Sequence, residues 1–223
     1  MHYTLFSFPE LRLSTRDGHK LRGYFGNLFK DHSSLLHNHD EGGESLFRYP
    51  MVQYKIIRGM PYLVGLGEGA RLLLELFTEV KEIRIDDTVF PLNEKRIESR
   101  VWTPALAPEP RPYQFETLWM ALNPENYRLY KTYSPAEQQA QLEAIANRNI
   151  QAVYKAAGAF LAEDERITVK LQVTPKSTQF KNQTMIAFAG RMYTNAVLPD
   201  YIGLGKSVSR GFGAIRSIST WNS

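Results

Sequence analysis

Residues 203–213 read GLGKSVSRGFG, four glycines in eleven residues, set as two Gly-x-Gly pairs around a basic, hydroxyl-rich pentad. Such a stretch reads as a turn, because glycine loses more backbone freedom on ordering than any other residue and readily takes positive φ. The chain must turn here, and Ala214 to Ile218, which follows, reads as a short final strand. The glycines also let a bulky group approach the main chain. Lys206, Ser207, Ser209 and Arg210 add ammonium, hydroxyl and guanidinium donors beside backbone N–H groups, a combination suited to phosphates. A P-loop is excluded. Gly205-Lys206-Ser207 supplies its last three letters, but Asp200 stands where the motif needs its first glycine, and no long helix follows.

The rest of the chain reads as two similar halves. Tyr3 to Leu13 is an aromatic and aliphatic strand that Pro9 bends or ends. Lys20 to Phe29 is a helix carrying Leu21, Tyr24, Phe25, Leu28 and Phe29 on one face, weakened by Gly23 and Gly26 unless something approaches it closely. Arg48 to Ile57 and Met60 to Gly65 are strands joined by the two-residue connection Arg58-Gly59, as a hairpin requires. Ala70 to Val80 is a helix and Lys81 to Asp86 a short strand, giving β-α-β-β-α-β in residues 1–95. Thr103 to Pro112 carries four prolines in ten residues, and we read 96–112 as a linker. In residues 113–223 the pattern returns: a strand at Tyr113 to Leu122, a short helix from Asn123-Pro124 to Tyr133, and a long helix from the capping box at Ser134 to about Leu161. Strands follow at Ile167 to Thr174 and Gln183 to Ala189, then a short helix within Gly190 to Ile202 and the last strand. The fold class is α+β: tandem ferredoxin-like (RRM-like) β-α-β-β-α-β domains with a carboxyl-terminal glycine-rich loop.

Cysteine is absent from the 223 residues, which excludes disulfides, thiolate nucleophiles and cysteine-ligated metal clusters. A formal charge of +4 permits a polyanionic partner without requiring one. With no apolar run of membrane-spanning length and no leader-like start, the expected location is cytoplasmic, with no membrane partner.

All five histidines lie in the first 39 residues, three of them in the polar stretch Asp31 to Ser45. Imidazole is the side chain suited to proton transfer near neutrality. His37-Asn38-His39 spells the name of a nuclease family, but that family spaces its motif widely. A metal site on His37, His39 and Asp40 would need further ligands that nothing else supplies, so the expectation is no metal and no cofactor.

The glycine loop ahead of the last strand resembles that of the RAMP proteins of CRISPR systems, above all the Cas-six endoribonucleases that cut CRISPR precursor RNA. The stretch Gly23-Tyr24-Phe25-Gly26-Asn27-Leu28-Phe29, the histidine loop after it and Arg48-Tyr49-Pro50-Met51-Val52-Gln53-Tyr54-Lys55 are similar to the family's amino-terminal half. The resemblance implies metal-independent cleavage within repeats by attack of a ribose 2′-hydroxyl, giving 2′,3′-cyclic phosphate and 5′-hydroxyl ends. It implies His37 or His39 for proton transfer, Tyr24 as orienter or donor, and Lys30 or Arg48 for charge. RNA would be held by Gly203, Gly205, Lys206, Ser207, Ser209, Arg210, Gly211 and Gly213, with Arg48 and Lys55. Further cations, among them Arg22, Lys170, Lys176 and Lys181, and the interleaved Tyr127, Arg128, Tyr130, Lys131 and Tyr133 allow phosphate contact and stacking. The implied partners are CRISPR repeat RNA and other CRISPR effector subunits, the protein being a monomer or homodimer.

Two other functions fit parts of the chain. A RAMP-fold subunit could hold guide RNA without cutting it. A dinucleotide-binding oxidoreductase would use Gly65-Leu66-Gly67-Glu68-Gly69-Ala70 as its fingerprint and Asp86 as its acidic residue.

Overall fold

The computed structural model describes residues 1–28, 49–180 and 183–218. The chain divides into two compact units. One comprises Met1–Thr103 together with Val208–Gly211, the other Pro104–Ser207 and the residues from Phe212 onward.

The amino-terminal unit runs β1 (His2–Ser7), α1 (Gly18–Leu28), β2 (Val52–Ile57), β3 (Met60–Leu66), α2 (Glu68–Leu76), β4 (Glu82–Ile85), β5 (Thr88–Pro91) and β6 (Arg96–Val101). Its sheet has the order β2-β3-β1-β6, antiparallel throughout, which is the ferredoxin-like arrangement. Arg58 and Gly59 both take positive φ, 52° and 84°, forming the mirror-image turn whose twist matches a hairpin. Alternation along β2 sends Val52, Tyr54 and Ile56 into a core with Leu21 and Phe25 of α1, Leu72, Leu73 and Leu76 of α2, and Phe6 of β1. A Ser14–Asp17 capping box starts the chain into α1.

Three expectations need correction in this half. Lys81 to Asp86 does form a strand, but β4 pairs with β5 in a separate ribbon, and the sheet's outer position beside β1 belongs to β6. β6 is exposed and charged along most of its length, as edge strands often are, so it carries little hydrophobic signal. Close approach on α1 occurs at Gly18, where a Cβ would stand 2.9 Å from the Arg210 carbonyl oxygen, while Gly23 faces open space. The glycines at the end of β3 and the start of α2 have a packing cause: a Cβ on Gly65 would lie 2.7 Å from Ala70 Cα. Among the described residues every adjacent strand pair of this sheet is antiparallel, so Gly65–Ala70 does not open the doubly wound parallel sheet that a dinucleotide fingerprint requires, and the dinucleotide reading fails.

The carboxyl-terminal unit runs β7 (Leu106–Phe115), α3 (Pro124–Tyr130), α4 (Pro135–Ala156), β8 (Val169–Phe180), β9 (Gln183–Ala196) and β10 (Ile215–Ser217). The order β10-β7-β9-β8 repeats that of the first sheet. Helix α4 begins at the expected Ser134–Glu137 capping box and buries Leu142, Ile145, Ala146, Ile150 and Val153. Trp119, fully buried, stacks on Phe115 at 5.4 Å and tilts against Phe188 at 5.9 Å.

The stretch 96–112, expected as a linker, is mostly strand, β6 followed by the first part of β7, and the boundary between the two units falls within it at Thr103–Pro104. The prolines are tolerated because the pairing with β9 breaks register between Leu106 and Arg111, and pairing with β10 begins only at Tyr113. PKSTQFKN, expected as a loop, mostly extends β8. Within 190–202 there is no helix, since β9 continues to Ala196. Among the described residues no helix is long and apolar enough to cross a membrane.

Candidate functional site

In the amino-terminal unit the tip of the glycine loop packs against α1 and the edge strand β2. Val208–Arg210 forms a single 3-10 turn. Val208 accepts a hydrogen bond from Lys55 Nζ at 2.8 Å and another from Gly211 N at 3.3 Å. Lys55 is fully buried, and burial brings its ammonium down to about 7. Its neighbour Tyr54 points to the opposite face of β2, with its ring stacked on Phe25 and its hydroxyl buried without a hydrogen-bond partner among the described residues. Burial raises the Tyr54 hydroxyl, an effect the Arg22 charge partly offsets.

Arg22 of α1 and Arg210 of the turn are close enough to interact electrostatically. Arg22 is lowered by burial first and by the Arg210 charge second. A guanidinium remains charged in such a setting, and its planar donors match phosphate oxygens. Two of them give this point of the unit a local positive field.

The flanks of the loop lie in the carboxyl-terminal unit. Gly203 bridges Ala214, Lys206 N donates to the Met120 carbonyl at 2.9 Å, and Gly213 N to that of Leu118 at 2.9 Å. Gly205 and Gly213 take φ of 89° and 67°, and a Cβ at Gly213 would run into the Leu204 carbonyl. These glycines fasten the loop as well as opening it. The side chain of Lys206 is exposed, and Ser207 and Ser209 are half-buried.

Both halves match family models: the Cas6b N-terminal domain over residues 1–102 and the Cas6b C-terminal domain over 105–218. The chain belongs to the Cas6b family. A crystal structure of a Cas6b superposes with a TM-score of 0.91 at 32% identity, covering 97% of this chain and 99% of that one. A second, of a CRISPR RNA processing endoribonuclease Cas6b, gives 0.78 at 30% identity, covering 98% and 100%. An uncharacterized protein of Methanocaldococcus jannaschii is 31% identical over 103 residues, 46% of this chain and 69% of that protein. The resemblance read from the glycine loop and the Gly23–Phe29 region is thereby established at the level of family and fold.

Of the residues that resemblance singled out, His37, His39, Lys30 and Arg48 lie outside the described residues. Tyr24 donates its hydroxyl to the Glu82 carbonyl at 2.8 Å, half-buried against the core. Its phenol is raised by burial and by Glu82. Lys55 does not offer RNA a surface cation; it holds the loop turn from inside. Strand alternation does not signal this, since it puts Lys55 on the face of β2 opposite Val52, Tyr54 and Ile56, and Lys55 is buried there beside the Val208 turn. Arg210 instead comes within electrostatic range of Arg22, a proximity that no local pattern connects across 188 positions.

Proposed function

We propose that this protein is a CRISPR RNA processing endoribonuclease that cuts repeat RNA without a metal, through attack of the 2′-hydroxyl upstream of the scissile phosphate. What supports this reading is the position of the Arg22–Arg210 pair. It lies on α1 and the glycine loop, and α1 leads in sequence directly into the segment holding His37 and His39. An in-line displacement needs a base at the 2′-oxygen, an acid at the 5′-oxygen and positive charge for the phosphorane. His37 or His39 moves the proton. Arg22 and Arg210 supply charge, with the Ser209 hydroxyl of the same turn; Lys206 and Ser207 are further donors carried by the carboxyl-terminal unit. The bond formed is 2′-O to P, the bond broken is P to 5′-O, and the products are a 2′,3′-cyclic phosphate and a 5′-hydroxyl.

The test is incubation with synthetic repeat RNA from the host's array in excess EDTA, beside the same RNA carrying one 2′-deoxy residue at the cut. Cleavage of the first alone is the expected outcome. His37→Ala or His39→Ala should slow single-turnover cleavage by about 100-fold or more while affinity stays within about twofold. Normal cleavage by both single variants and the double variant would remove histidine from the mechanism. Tight binding without cleavage would favour a guide-holding subunit.

A further inference from the structure

The carboxyl-terminal unit contains a cleft of about 430 Å³ between α3 and the β8–β9 hairpin, within the size range of small-ligand sites. Its walls are Leu122, Tyr127, Pro175, Met185 and Ile186, and Asn123, Lys176, Ser177 and Thr184 are its polar groups. Lys131 Nζ lies 5.0 Å from the centre of the Tyr127 ring. Asn123 uses Oδ1 to cap α3, accepting from Asn126 N at 2.6 Å, which leaves its amide N–H groups as donors. Among the described residues that line it there is no carboxylate. Between Glu165 and Asp200 the chain has no acidic residue at all, but it has Arg166, Lys170, Lys176, Lys181 and Arg191. Among the described residues, no ion pair involves Lys176 or Lys131.

An apolar slot with an aromatic wall, amide and hydroxyl groups and two cations matches a nucleotide: a flat base, polar edges and an anionic phosphate. We propose that the cleft between α3 and the β8–β9 hairpin binds one unpaired nucleotide of single-stranded RNA, its base against Tyr127 and its phosphate at Lys176. The inference rests on the reading of the protein as an RNA-processing enzyme, and it places a second point of RNA contact well apart in sequence from the glycine loop. A base held here fixes the register of the strand, because only an unpaired residue can leave its neighbours to enter the slot.

The full chain is titrated with fluorescein-labelled octauridylate bearing 2′-O-methyl groups, which no 2′-hydroxyl mechanism can cut, so binding is read independently of cleavage. Tyr127→Leu should raise Kd about tenfold, within the range for loss of one base–aromatic stack, and Tyr127→Phe should restore it to within about twofold. Lys176→Gln should lower the slope of log K against log salt by about 0.7. In the wild-type protein, 4-thiouridine placed in the same oligonucleotide should crosslink within Asn123–Tyr127 or Thr184–Ile186, a result that does not depend on how the variants fold. The proposal is overturned if octauridylate fails to bind, if it binds with equal strength to Tyr127→Leu, or if the crosslinks fall only elsewhere. It is also overturned if a polyglutamate peptide shows the Tyr127 and Lys176 dependence instead of RNA, which would point to an acidic protein partner. Repeat-RNA cleavage by the wild-type protein, assayed in parallel, tests the processing reading separately: cleavage with no Tyr127 effect rejects the cleft alone.

Discussion

Replacing Lys55 by methionine should make the protein more stable at neutral pH and leave it nearly unchanged at pH 9.5. Lys55 is fully buried on β2, and burial lowers its ammonium from 10.5 to about 7. Between those values the unfolded chain holds a proton that the folded chain has released, so native stability rises with pH, by about 1.4 kcal/mol per unit. Below pH 7 both states are charged, and the burial cost is present in full, about 5 kcal/mol for the gap between 10.5 and 7. At pH 7 about 4 kcal/mol of it remains and at pH 9.5 about 1.4. Methionine removes this cost and also the hydrogen bond to the Val208 carbonyl, a loss of about 1 kcal/mol because Gly211 N still donates there. The variant should therefore gain about 3 kcal/mol over the wild type at pH 7 and almost nothing at pH 9.5. Urea unfolding of both proteins at the two pH values, followed by far-ultraviolet circular dichroism, measures the difference. A stability difference that stays constant between the two pH values would refute the reasoning, since it would mean that Lys55 does not change charge in the folded state.

Tyr54→Phe removes a buried hydroxyl that has no partner among the described residues and should stabilise the protein by about 1 kcal/mol; a comparable loss in urea midpoint would reveal an acceptor for that hydroxyl. Gly213→Ala forces a side chain into φ of 67° and against the Leu204 carbonyl, which should cost more than about 2 kcal/mol, and an unchanged thermal midpoint would contradict it. Asn149→Leu strands the indole N–H of buried Trp119, which donates to Asn149 Oδ1 at 3.2 Å. Destabilisation of about 1–3 kcal/mol is expected in urea, and a neutral result would mean that the indole N–H finds another acceptor.

Much of this protein was determined by local sequence. Leu21 and Phe25 at helical spacing, the Ser134–Glu137 capping box, the Asn123-Pro124 helix start and the Arg58-Gly59 turn each act over a few residues, and each was readable because its physics is local. The glycine loop was legible for the same reason, and with the Gly23–Phe29 region it marked the family. Other features depended on partners distant in the chain. Whether KEIRID or RIESRV would pair with β1 turned on which strand the sheet accepted, and β6 shows little hydrophobic alternation because it is an exposed edge. A proline-rich segment became part of β7 because its ladder with β10 begins only at Tyr113 and its pairing with β9 breaks register across Pro108 and Pro110, which lack N–H groups. Lys55 looked like a surface cation until the turn at Val208 was brought to it, and Arg22 and Arg210 became a pair only when the loop met α1. Burial and charge proximity are properties of the assembled fold, so the sequence determined which elements form and which family they build, while tertiary packing alone decided which cations are exposed and which are held inside.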